Sequence, residues 1–214
     1  MAMRLVPLTS LLSGLFLGAC SVFGIRGGTE EPRFSLIGQM GPVEIRRYEP
    51  RVAAETTIDG SEMAARSTGF RRLAGYIFGG NTGGAKIAMT APVGQTEGAK
   101  IAKTAPVAQT QGTGGSWTIR FYLPASVTQD TAPQPNDPNV KIVPVPAETV
   151  AVLRYSGIPS SDAVAAHQAA LLNALKGSQW KPDGEPLAWF YDPPWTLPPL
   201  RRNEAAVKVV DAGP

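Results

Sequence analysis

The chain has 214 residues, of which 43% are apolar and 17% charged, and its net charge is +3. That balance suits one medium domain with its own core and excludes a disordered chain. Lysine and arginine are scattered, with no basic run of the kind that grips nucleic acid. The lone cysteine, Cys20, excludes an intramolecular disulfide.

The N-terminal stretch MAMRLVPLTSLLSGLFLGAC carries Arg4 and then an apolar run from Leu5 to Leu17. The run is short and broken by serine and glycine, so it reads as a secretory signal rather than a membrane span. Leu17-Gly18-Ala19-Cys20 resembles the lipobox of bacterial lipoproteins. That resemblance implies a signal peptide over 1–19, lipidation of Cys20, and a stable membrane anchor, since several acyl chains on one residue hold far better than one. With Ser21 rather than aspartate next, it also implies the periplasmic face of the outer membrane. An ordinary signal peptide with an incidental cysteine is the other reading. Residues 20–40 are expected to form the lipidated end and a tether, and 41–214 the folded domain.

Short strands dominate that domain. VEIRRY (Val43–Tyr48) and RVAAETTI (Arg51–Ile58) flank Glu49-Pro50 and are expected to form a hairpin. Asp59-Gly60-Ser61-Glu62 offers helix-capping chemistry, and Met63, Arg66, Phe70, Leu73, Ala74 and Ile77 share one face at helical spacing, so a helix is expected to about Phe78. WTIRFYLP (Trp117–Pro124) alternates strictly. VKIVPV (Val140–Val145) and TVAVLRYSG (Thr149–Gly157) give a further strand pair, and Ser160-Ser161-Asp162 opens a second helix ending near Lys176-Gly177. PLAWFYD (Pro186–Asp192) and EAAVKVV (Glu204–Val210) complete the set. The order is strand, strand, helix, strand, strand, stated twice. This predicts an α+β fold built as a ββαββ pseudo-repeat, its halves forming one sheet or open barrel with both helices packed outside it, because neither half could bury its sheet alone.

One segment is written twice in succession. GAKIAMTAPVGQTE (Gly84–Glu97) and GAKIAKTAPVAQTQ (Gly98–Gln111) agree at eleven of fourteen positions. Read as strands, Ile87, Met89, Ala91 and Val93 share a face in the first copy, as do Ile101, Lys103, Ala105 and Val107 in the second. Lys103 is costly in a dry core, so the first copy is expected to hold the core place and the second an edge or longer hairpin. An even insertion preserves the alternation of later side chains.

VEIRRYEPRVAAET, GFRRLAGYIFGGN, KIAMTAPV, RFYLP and YDPPWTLPPLRRNE together resemble the heme-binding SOUL family over about Val43 to Val210. The resemblance implies a distorted antiparallel β-barrel flanked by two helices, and non-covalent binding of heme or another tetrapyrrole in a shallow apolar groove to which the first helix contributes, with no reaction catalysed. On that helix Met63, Phe70, Leu73 and Ile77 are candidates for the groove wall, and Arg66, Arg71 and Arg72 for the heme propionates. The same stripe read without a ligand simply packs on the sheet. His167, the only histidine, falls at the edge of the second helix's apolar face. It is either an axial iron ligand or a boundary histidine with a local hydrogen bond. Arg201-Arg202-Asn203-Glu204 reads as a structural tie for the last strand, and Tyr191 and Trp195 either cover a ligand or seal one end of the fold.

Enzyme readings find little footing. There is one histidine, no G-x-S-x-G elbow, no metal-ligand spacing and no phosphate-binding loop. The sequence therefore predicts a membrane-anchored tetrapyrrole binder with no protein partner identified. The competing reading is an envelope lipoprotein of structural or interaction role that binds no heme.

Overall fold

The computed structural model describes residues 28–97 and 115–213. Cys20 and the second copy of the repeat, with Lys103, lie outside the described residues. Among those described, ten strands and two α-helices follow in chain order: β1 (Phe34–Met40), β2 (Val43–Tyr48), β3 (Arg51–Gly60), α1 (Glu62–Ile77), β4 (Val93–Glu97), β5 (Gly115–Tyr122), β6 (Lys141–Val145), β7 (Glu148–Tyr155), α2 (Ser161–Leu175), β8 (Trp180–Pro182), β9 (Leu187–Phe190) and β10 (Asn203–Asp211).

The strands form one antiparallel sheet in the order β1-β2-β7-β10-β9-β4-β5-β3-β6, with β8 added to β10. Exchange β2 with β6, β3 with β7, β4 with β9 and β5 with β10, and the run from β2 to β6 reads the same backwards. That is the expected ββαββ repeat, related about the β4–β9 seam. The helices obey it too: α1 packs on β3 and β5, α2 on β7 and β10. The fold is α+β as expected, but the sheet is open rather than closed into a barrel, with β1 and β6 as its ends.

Two of the expected hairpins do not form. β2 pairs with β1 and β7, not with β3, and β6 pairs with β3, not with β7. Val43 opposes Leu153 and Glu55 opposes Lys141, all in one register, so β2–β3 and β6–β7 act as two long bent strands laid against each other. In that register Pro50 falls opposite Pro146. Neither has an N–H to give, so the ladder breaks on both sides at one point and the strands bend instead of turning back.

Residues 34–40, read as tether, form β1 and pair with β2. A register shift between Leu36 and Gly38 breaks the alternation, and Phe34, Leu36 and Ile37 are exposed, so no period-2 signal marks the strand.

The first copy of the repeat is also not a continuous strand. Residues 85–89 are irregular, and β4 begins only after Pro92. Ile87, Ala91 and Val93 are buried as expected, but Met89 is exposed and Thr90 takes the inward place, its hydroxyl donating to the Tyr122 carbonyl. The first copy's methionine therefore holds no core position for a lysine to spoil.

α1 starts at Ser61, whose hydroxyl accepts from the Ala64 N–H, and α2 at Ser160, which does the same for Ala163. The buried face of α1 is Ala65, Gly69, Leu73, Tyr76 and Ile77. Gly69 permits the close approach: a Cβ there would lie 2.4 Å from Ile119 Cγ1. Three apolar clusters result, one under α1, one under α2 and an aromatic-rich one between them around Tyr48, Tyr122, Trp189 and Tyr191.

Candidate ligand-binding site

The predicted groove residues of α1 differ sharply in exposure. Leu73 and Ile77 are 0% and 1% exposed and belong to the core under the helix, so no surface ligand reaches them while α1 is docked. Met63 and Phe70, 50% and 40% exposed, lie two turns apart on the flank of the helix beside that buried face, and Phe78 is exposed just past the helix end. Phe70 is braced from beneath by Phe121, edge to face with ring centroids 5.3 Å apart.

The arginines near this row are mostly committed. Arg66 donates to Glu62 at 2.6 Å, to Gln95 at 2.6 Å and to the Pro159 carbonyl at 2.7 Å, and lies over the Phe190 ring. It thereby ties α1 to β4 and to the segment leading into α2. Burial pulls its guanidinium below the usual value, against the opposing pull of Glu62. Arg72 donates to Thr56 and pairs with Asp137 at 3.2 Å. Arg71 is exposed, with one long contact to Thr68, and is the arginine of the three best placed to meet an incoming carboxylate.

His167 is half-buried on α2. Its ring stacks on Tyr155 with centroids 3.8 Å apart, and Nδ1 meets the Ala163 carbonyl at 2.7 Å. One ring face and one nitrogen are thus occupied, which is the local hydrogen bond of a boundary histidine. It sits on the half of the sheet opposite to the Met63–Phe70 row. Among the described residues no group of three histidine, cysteine or carboxylate side chains could hold a metal ion.

A cleft of about 180 Å³ opens where the N-termini of the two helices meet over the β4–β9 seam. Glu62, Gln95, Glu97, Trp117, Val164, Gln168 and Glu185 line it. It is smaller than the roughly 300–1,000 Å³ of pockets that enclose drug-sized ligands. A flat macrocycle would have to lie on this surface rather than within it.

The sequence reading missed how deeply the terminal signature is buried. Glu204, fully buried on β10, accepts from Arg46 through both Nη atoms (2.9 and 3.1 Å), from Tyr191 Oη at 2.7 Å and from Arg202 Nε at 2.9 Å. Burial pushes its carboxyl up, but the Arg46 hydrogen bonds and charge, then Arg202 and Tyr191, outweigh that and hold it below the ordinary value. Arg201 donates to the Thr196 and Pro194 carbonyls, and Asn203 to Gly157. The expected structural tie is there. Tyr191 is buried within it, whereas Trp195 is 63% exposed, so the two aromatic residues of the loop have different roles.

Two helices packed symmetrically on one antiparallel sheet define the class of fold. It is shared by the C-terminal domain of EcmrR, with a TM-score of 0.56 at 10% identity over 79% of this chain and 97% of that one. A hydrolase from Listeria innocua matches at a TM-score of 0.52 and 11% identity, over 81% of this chain and 94% of that one. At such identities the likeness shows the fold alone. The description "SOUL heme-binding protein" matches residues 29–208, and the chain belongs to that family. Mouse "Heme-binding protein 2" is 30% identical over 139 residues, a match that spans 64% of this chain and 63% of the mouse protein.

Proposed function

We propose that the protein binds heme or a related tetrapyrrole non-covalently, on the exposed flank of α1, as a lipid-anchored protein of the outer membrane's periplasmic side. The observation that carries the reading is the exposed apolar pair Met63 and Phe70 on the flank of α1 beside its buried face, with Phe78 exposed just past the helix end. Membership of the SOUL family supports it. The residues present fit a flat apolar ligand with carboxylates near Arg71 better than an iron site, because His167 is stacked and bonded locally. Storage, scavenging or buffering of the pigment needs no reaction and no axial ligand. Candidate anchoring rests on the Leu17–Cys20 motif.

A hemin titration of the purified protein tests the binding. A saturable Soret shift at one equivalent is expected, and a shift that grows without saturation refutes it. Radiolabelled palmitate should enter the wild-type chain and not Cys20→Ala; equal labelling would sink the anchor. The small cleft and the engaged Arg66 and Arg72 favour a second reading, an envelope protein of structural or interaction role that keeps the fold without a pigment. The non-saturating titration is its outcome.

A further inference from the structure

Between β9 and β10 the chain makes a loop, 193–200, that reads PPWTLPPL and carries no charged side chain. Trp195, Leu197 and Leu200 are all exposed on it. Ile158, also exposed, comes alongside from the segment after β7, because the Gly157 N–H donates to the Pro198 carbonyl at 2.9 Å. Large apolar side chains gathered on adjoining loops mark a contact surface, whereas single ones need no explanation.

The backbone of this loop is already paired inward. The Pro193 and Leu197 carbonyls accept from the N–H groups of Thr196 and Leu200 at 3.1 and 2.9 Å, and the Pro198 carbonyl also takes the Arg201 N–H. The Arg201 side chain donates to the Thr196 carbonyl at 2.7 Å and to that of Pro194. Four of the eight residues are prolines, which have no N–H to satisfy and hold the loop stiff. Exposed apolar side chains over a backbone bonded to its own protein are what a segment needs to leave water, since unsatisfied backbone groups are costly in hydrocarbon.

The N-terminal tether arrives at the same place. The Glu31 carboxylate reaches Arg202 at 3.0 and 3.2 Å, one residue past the Arg201 that holds the loop. Cys20 stands eleven residues before Glu31. Even fully extended, that stretch spans no more than about 40 Å. A protein held through Cys20 is therefore held by the end that carries Trp195.

We infer that the loop 193–200, with Ile158, is a second membrane contact, seated in the headgroup layer of a phospholipid bilayer. The Trp195 ring lies at the headgroup boundary, where amphipathic aromatic rings are favoured, and Leu197 and Leu200 reach toward the acyl chains. A few apolar side chains hold a bilayer weakly by themselves, but a tether keeps them at high effective concentration beside it. The inference rests on the anchored reading above and adds an orientation to it: the domain is docked on the membrane by one end rather than swinging from it.

The test uses the full chain in vesicles of phosphatidylethanolamine and phosphatidylglycerol, with and without bromine on the acyl chains, and reads tryptophan emission. Flotation shows whether the chain is held at the vesicle, and palmitate label shows whether a lipid on Cys20 holds it. Brominated lipid should quench about half or more of the Trp195 emission, obtained as the difference between wild type and Trp195→Phe. Leu197→Asp with Leu200→Asp should return that emission to its level in unbrominated vesicles, because charge opposes entry into the bilayer. If Trp195→Phe does not fold, the paired aspartates decide alone. A chain that floats while wild type and Trp195→Phe are quenched alike overturns the inference, gives the loop to a protein partner and leaves the anchor standing. Quenching that survives the paired aspartates overturns it too. A chain that does not float overturns both readings, whereas Trp195 quenched in a floating chain without palmitate supports the contact and sinks only the lipidation.

Discussion

Glu204→Gln is the substitution with the largest expected effect on stability. Glu204 is fully buried and Arg46 is 3% exposed, so the change strips the charge from a carboxylate and leaves a buried guanidinium facing an amide. The amide's single oxygen cannot accept both Arg46 bonds together with those of Tyr191 and Arg202. Breaking a buried pair from one side costs about 3–5 kcal/mol. For a chain of this size that is a fall in Tm of roughly 6–20 °C. Urea and thermal denaturation followed by circular dichroism measure it. Arg46→Met with Glu204→Leu should recover only part of the loss, since it removes the desolvated pair but leaves Tyr191 and Arg202 without their acceptor. The pH dependence has a definite sign. The folded-state carboxyl is held below its unfolded value, so its contribution is complete above about pH 4.3 and declines as pH falls through the lower folded value. Glu204→Gln should flatten that acid limb. A loss under about 1 kcal/mol, or strict additivity of the Arg46 and Glu204 changes, would refute the account of a shared buried network.

Gly69→Ala sets a helix-propensity gain of about 1 kcal/mol against a Cβ placed 2.4 Å from Ile119 Cγ1. A net loss of about 1 kcal/mol is expected in urea denaturation, and a raised midpoint would show that the helix has room to shift. Ser160→Ala removes the cap of α2 and should cost about 1 kcal/mol, with little change in hemin affinity. Phe70→Ala should weaken hemin about tenfold by removing half-exposed apolar area from the proposed surface, while Leu73→Ala should act chiefly on stability. Equal hemin affinity in wild type and Phe70→Ala would move the site off α1.

The two helices and seven of the eight strands of the repeat were legible because each has a local signal: Ser61 and Ser160 as caps, the alternation of Trp117 to Leu123, the runs around Val152 and Val207; the eighth, β4, was expected before Pro92 and begins after it. Pairing was not. Glu49-Pro50 looks like a turn in any local reading, and only the register shared with Pro146 shows it to be a bend. The buried stripe of α1 was misplaced by about a quarter of a turn because Ala65 and Gly69, which face the sheet, are the least hydrophobic in appearance. β1 gave no signal, since its bulge and its solvent-facing apolar side chains erase the period. Arg46 inside VEIRRY reads as an outward polar residue, and nothing nearby in the chain announces a carboxylate 158 positions on. The arginine-rich ending did suggest a tie, and its depth was the unexpected part.

The bend at Pro50 has a consequence for how the molecule can come apart. Each half lends its first long ribbon to the other: β2 is lodged beside β7, and β6 beside β3. Severing the chain between the halves would not release two small domains but two fragments, each stripped of a borrowed neighbour and showing raw ladder edges to solvent. The protein should therefore be made and lost as one piece, with its slowest step the mutual threading of partners that lie far apart along the chain.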